Sequence, residues 1–158
     1  MYTRTALWIR AQPATIFRLV AEVEHWPELL PHYRWVTVLE RNGDRKLVEM
    51  AAHRDGFPVR WRAVQTLFPE IPRVTFLHVR GVTRGMAVAW SFEPAGEGTL
   101  VAIEHWLTLR WPLIGPWAAH AIIGRQFVEP IAGRTLRHLK RLAEAAERAG
   151  TTMGTERR

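Results

Sequence analysis

A chain of 158 residues, 47% apolar and 23% charged, is long enough for one domain with its own core and has an ordinary globular composition. It holds no cysteine, which excludes a disulfide framework, a thiolate nucleophile and a cysteine-ligated metal, and no apolar run approaches the roughly 20 residues of a bilayer span. The net charge of +7 raises an anionic partner, but the basic residues are almost all Arg, spread along the whole chain, so a solvated basic surface is expected and nucleic acid is not.

The N-terminal segment is too short in apolar residues for a secretory leader, and this points to the cytoplasm. Residues 2–10 alternate and predict a strand. Gln12-Pro13 then opens a helix with an apolar face of Ile16, Phe17, Leu19, Val20 and Val23. A short helical turn follows over residues 25–31, bracketed by Pro27 and Pro31.

Six further strands are predicted over 33–40, 45–53, 57–67, 74–80, 86–93 and 99–110. Asn42-Gly43, Asp55-Gly56, residues 69–72, 81–85 and 95–98 supply the turns between them. Short turns between consecutive strands dictate an antiparallel meander, and the N-terminal strand adds a seventh. From Trp117 the apolar period becomes helical, through Phe127, Ile131, Leu136, Leu139 and Leu142 to about residue 149. Pro130 should interrupt this helix near Gln126, and Gly150 should end it. Residues 1–149 are therefore read as one domain and 150–158 as a disordered tail.

Alternation assigns the faces of the strands. The inner face reads Tyr33, Trp35, Thr37, Leu39; Phe57, Val59, Trp61, Ala63, Gln65, Leu67; Val74, Phe76, His78, Arg80; Met86, Val88, Trp90, Phe92; and Val101, Ile103, His105, Leu107, Leu109. The strand over 45–53 is ambiguous: Val48, Met50 and Ala52 are the favoured inner set, and Glu49 and His53 the alternative. Eight Trp is a high count, and Trp is hard to bury completely, so several are expected to line a space. Four polar residues on otherwise apolar stripes, Gln65, His78, Arg80 and His105, are either locally satisfied or project into a cavity and orient an apolar ligand. With Trp35, Trp61, Met86 and Trp90 from the sheet, and Trp117 and Phe127 from the helix, they form the expected binding set.

The familiar catalytic constellations are missing. Ser91 is the only serine and points outward, and Asp44 and Asp55 sit in hairpin turns. The seven His are scattered, with no metal-ligand spacing, and no glycine loop suits a nucleotide phosphate, so neither metal nor cofactor is expected. Acid–base work by His78 or His105, assisted by Arg80 or Gln65, is the chemistry left open. Residues 110–117, with two Trp and two aliphatics beside an Arg, either cover the cavity mouth or insert into a membrane surface.

The helix start at Pro13, Ile16 and Phe17, the stretch over residues 23–31, Gly81 with Gly85-Met86 and Trp90, Gly98-Thr99, and the closing Leu136, Leu139, Lys140, Leu142 and Glu144 carry a resemblance. They resemble the START/Bet v 1-like superfamily, and within it the bacterial polyketide cyclase/dehydrase and lipid-transport family, over roughly residues 3–148. The resemblance implies an α+β helix-grip fold: a seven-stranded curved antiparallel sheet around a long C-terminal helix, with two short helices after the first strand. It further implies a cavity that takes a lipid, polyketide, quinone or other aromatic or isoprenoid molecule, either as a carrier or as an aromatase/cyclase. It transfers no catalytic set of residues.

Overall fold

The computed structural model describes residues 1–54, 56–108 and 124–156. Seven strands, β1 (Tyr2–Ile9), β2 (Tyr33–Asn42), β3 (Arg45–Arg54), β4 (Phe57–Phe68), β5 (Arg73–Gly81), β6 (Ala87–Ala95) and β7 (Gly98–Trp106), form one antiparallel sheet in the order β1-β7-β6-β5-β4-β3-β2. Between β1 and β2 lie α1 (Pro13–Ala21), a 3-10 turn (Val23–His25) and α2 (Trp26–Leu29). A π turn (Gly124–Val128) leads into the C-terminal helix α3 (Glu129–Glu156). This is the helix-grip architecture expected from the sequence.

The first strand joins the meander at its far end, with Tyr2 opposite Trp106 and Ile9 opposite Thr99. Gly98 makes that approach possible, since a Cβ there would overlap the Ile9 carbonyl oxygen and the Trp8 indole. One face of the sheet packs with α1 and α3 around Ile9, Ile16, Val20, Val48, Met50, Ile103, Leu136 and Leu139, all essentially removed from solvent. The interruption expected near Gln126 is the π turn. Pro130 follows in the first turn of α3, where its missing N–H costs no helical bond.

Polar groups fasten α1 at both ends, to α3 at its start and to the sheet at its close. Gln12 gives α1 no side-chain cap, and Glu147 of α3 supplies one, accepting from the Gln12 N–H at 3.0 Å and the Thr15 hydroxyl at 2.7 Å. At the other end of α1, the cross-strand pair Lys46 and Gln65 serves its last carbonyls. Gln65 Nε2 donates to the Ala21 oxygen at 3.1 Å, and Lys46 Nζ donates to the same oxygen at 3.2 Å, placing a cation where the helix dipole favours one. Lys46 also pairs with Glu24 at 3.0 Å. Burial opposes the charge on Glu24, but hydrogen bonds from its own backbone N–H, Lys46 and Arg41 outweigh it and hold the carboxyl at about 2.

Three expectations are corrected. In β2 the register shifts between Tyr33 and Trp35, so Val36 and Val38 turn inward while Trp35 and Thr37 turn outward and Leu39 is exposed. In β5 a second shift lies opposite Arg62 and Ala63, pairing Arg80 with Arg62 and placing Arg80 on the exposed outer face. Each bulge adds one residue to the strand and inverts the alternation beyond it. Finally, α3 does not stop at Gly150. It continues to Glu156, and the Thr151 hydroxyl bonds the Glu147 carbonyl one turn back, because one glycine weakens a helix by only about 1 kcal/mol and the turn is hydrogen-bonded on both sides.

Candidate functional site

Between the sheet and the start of α3 lies a cavity of about 90 Å³. Its walls are aromatic and aliphatic: Trp26, Trp61, Phe76 and Trp90, with Met50, Met86, Val88 and Ile103, closed by Phe127, Val128, Ile131 and Ala132 from the helical side. The rings form a connected set. Trp26 lies 4.9 Å from Tyr33 and 6.0 Å from Trp90, centroid to centroid, and Tyr33 lies 6.3 Å from Trp61. Edge and tilted contacts of this kind add to simple burial and hold the wall in shape.

Two groups of polar atoms interrupt this wall. The first is a histidine pair on strands flanking β6. His78 on β5 is stacked on Trp61 at 5.6 Å, and its Nδ1 is 2.7 Å from the Thr83 hydroxyl. His105 on β7 has its Nδ1 3.3 Å from the Thr3 hydroxyl. Burial pushes His78 down to about 3, with His105 adding repulsion, and burial pushes His105 down to about 4. At neutral pH both are uncharged, so each imidazole offers one N–H and one lone pair. Their contacts to Thr leave the Nε2 atoms without a hydrogen bond among the described residues.

The second group centres on Thr135 of α3. Its hydroxyl donates to the Ile131 carbonyl at 2.8 Å, so its oxygen can only accept from elsewhere. His32 Nε2 is 2.8 Å away and must carry the proton, which leaves Nδ1 a bare lone pair; that atom is buried with no partner among the described residues. Tyr33 is also beside Thr135, and burial raises its hydroxyl well above the usual range, so it stays a neutral phenol. Burial, with His138 and Arg134 nearby, lowers His32 to about 4.

Of the expected binding residues, Trp61, His78, Met86, Trp90, His105 and Phe127 line this cavity together. Trp35, Arg80 and Gln65 do not. Trp35 lies on the outer face with the Arg60 guanidinium 5.5 Å from its ring, Arg80 is exposed beyond its bulge, and Gln65 is occupied at the end of α1. Trp117 and the rest of residues 110–117 lie outside the described residues, as does Leu109. Sequence reasoning missed Trp26, Thr83 and Thr135 as wall residues. Thr135 was findable, since it stands four residues after Ile131 on the stripe that faces the sheet. Among the described residues no group of three or more His, Asp or Glu could hold a metal, and no helix is long and apolar enough to cross a membrane.

The sequence that builds this fold and cavity matches a known family. The model for "Polyketide cyclase / dehydrase and lipid transport" matches residues 9–139. The chain belongs to this family. Among its curated relatives, the actinorhodin polyketide synthase bifunctional cyclase/dehydratase of Streptomyces coelicolor is 32% identical over 98 residues, which are 61% of this chain and 31% of that protein. The chain thus spans about a third of the length of such relatives. Among solved structures, TTHA0849 from Thermus thermophilus superposes with a TM-score of 0.80 at 25% identity, covering 92% of this chain and 99% of that one. The Zhui aromatase/cyclase from Streptomyces sp. R1128 superposes with a TM-score of 0.84 at 17% identity, covering 95% and 97%, a likeness of fold.

Proposed function

We propose that this cavity binds a hydrophobic, ring-containing small molecule and that the chain acts as its carrier or binding protein in the cytoplasm. The observation that carries this reading is the continuous aromatic wall of Trp26, Tyr33, Trp61 and Trp90, interrupted by neutral hydrogen-bonding groups. Apolar pockets with a few placed polar groups are the usual form of a small-molecule site. At about 90 Å³ the space is smaller than the roughly 150 Å³ cavity that takes up a benzene, so a polycycle enters only if the wall yields. Phe127 and Val128 stand on a π turn, where the backbone departs from the regular helix, and are the wall residues best placed to yield. Native mass spectrometry of gently purified protein should find a co-purified lipid, polyketide or quinone. Protein that arrives empty and takes up none of these classes would count against binding.

A second reading, a cofactor-independent cyclase or dehydratase, is favoured by the placement of His78 and His105 together on the cavity wall. Both are held neutral, so either can take a proton from carbon next to a ketone while the other donates to oxygen. Arg80 has no part in this, since it sits on the far side of the sheet. The relatives named as cyclase/dehydratases support the chemistry. His105→Ala should then abolish turnover of a poly-β-keto chain and leave its binding intact; full turnover in that variant would remove the role.

A further inference from the structure

The sheet carries a second concavity on its opposite face, away from the apolar cavity. It is a groove of about 320 Å³ lined by Glu49, Arg60, Trp61, Arg62, Arg80 and Gly81. Its construction follows from strand register. Glu49 stands opposite Arg62 across β3 and β4, and Arg62 stands opposite Arg80 across β4 and β5. Arg60, two residues before Arg62, shares its face, and the Trp35 ring lies 5.5 Å from the Arg60 guanidinium.

The charges do not balance. Glu49, whose side chain is only 13% exposed, accepts from Arg60 Nη2 at 2.7 Å and from Arg62 Nε at 2.6 Å. One carboxylate thus serves two guanidiniums and leaves the terminal nitrogens of Arg62 free to donate. Arg80 meets no carboxylate among the described residues. Like charges directly opposite on neighbouring strands destabilise a sheet. Here the register shift beside Val79 is what brings Arg80 opposite Arg62; without it, Arg80 would lie on the inner face. Gly81, at φ +106°, forms the floor, and a Cβ there would stand 2.7 Å from the Arg60 carbonyl oxygen. The groove therefore rests on the β5 bulge, which carries Arg80 to this face, and on Gly81, which lets β5 close against Arg60 and Trp61 of β4.

We propose that this groove is a binding site for a phosphate group, held between Arg62 and Arg80 with Arg60 at its edge. Guanidinium forks match a phosphate by paired N–H donors, and a dianion offsets the excess charge that one carboxylate leaves. Glu49 orients the two forks of β4 from behind. The groove opens on the face of the sheet away from the apolar cavity, and Trp61 lines both.

The test uses the full chain with inorganic phosphate at constant ionic strength, chloride serving as the matched control. Side-chain guanidinium NMR signals should shift and saturate with phosphate and stay put with chloride. Arg80→Gln, an exposed change that leaves the core untouched, should weaken phosphate at least tenfold and keep the thermal midpoint of the unliganded protein. A response equal in chloride, or phosphate affinity unchanged in Arg80→Gln, would overturn the site. Flotation with phosphatidic acid vesicles separates two sources of the same group. Flotation that Arg80→Gln abolishes and free phosphate competes away assigns a lipid headgroup, and saturation by phosphate without flotation assigns a soluble phosphate.

Discussion

His78 is stacked parallel to Trp61, ring centroids 5.6 Å apart and planes inclined by only 3°. The stack joins a titratable group to the aromatic wall, so the imidazole is placed by packing as much as by its hydrogen bond to Thr83. Both residues sit on inward positions of adjacent strands, and Thr83 follows in the loop after β5. Whatever the cavity holds therefore meets a neutral imidazole whose orientation is set from two sides.

The two faces of the sheet should separate in binding. Trp61→Phe shortens the wall and unstacks His78, and should weaken a neutral polycycle such as pyrene by about tenfold, the worth of a ring contact of roughly 1–1.5 kcal/mol. Trp35→Phe, on the outer face, should leave that affinity within about twofold. Fluorescence titration of both variants checks this, and equal losses would refute the assignment of faces.

Acid should unfold the domain earlier than its carboxylates alone would require. His32, His78 and His105 have folded values of about 4, 3 and 4, below the ordinary 6.5. Between those values and 6.5 the unfolded chain binds more protons than the folded one, so stability rises with pH through this window and is level above it. Three such groups give a slope of about 4 kcal/mol per pH unit at its steepest. Glu24, held at about 2 against 4.5, adds a further loss only as pH falls below 4.5. Denaturant midpoints measured from pH 4 to 8 should show the rise, and His78→Gln should flatten it.

Thr135 ties three groups together through one oxygen. Thr135→Val removes the acceptor of His32 Nε2 and leaves that buried ring with neither nitrogen paired, a loss of about 1–3 kcal/mol. Thr135→Ser keeps the hydroxyl and should recover most of it. Chemical denaturation at pH 7, with unchanged dependence on denaturant, is the measurement.

Gly98 and Gly43 should respond differently to alanine. At Gly98 a Cβ would collide with the Ile9 backbone and the Trp8 ring, so Gly98→Ala should cost about 3 kcal/mol and loosen β1 from β7. Gly43, at φ +56° in open space, meets only the left-handed penalty of about 1 kcal/mol. Amide exchange at Ile9 and Leu7 locates the first effect.

Strand order, the gripped helix and most of the cavity wall were legible in the sequence. Alternation correctly set Trp61, His78, Trp90 and His105 inward, because the extra residue of β5 comes after His78 and β4, β6 and β7 keep their alternation, while Met86 lines the cavity from just before β6. The same rule misplaced Trp35 and Arg80, since each lies past a bulge, and a single extra residue reverses every side chain after it. Gln65 was read correctly as inward, yet its partners are carbonyls of α1, which approach it only through tertiary packing.

Hydrophobic period and turn residues by themselves determined the elements and their meander, because those are local preferences repeated over many residues. The tertiary structure alone decided where the sheet bulges and which polar groups meet. Those outcomes depend on contacts between residues far apart in the chain, such as His32 with Thr135 and Arg62 with Arg80, and no local pattern encodes them.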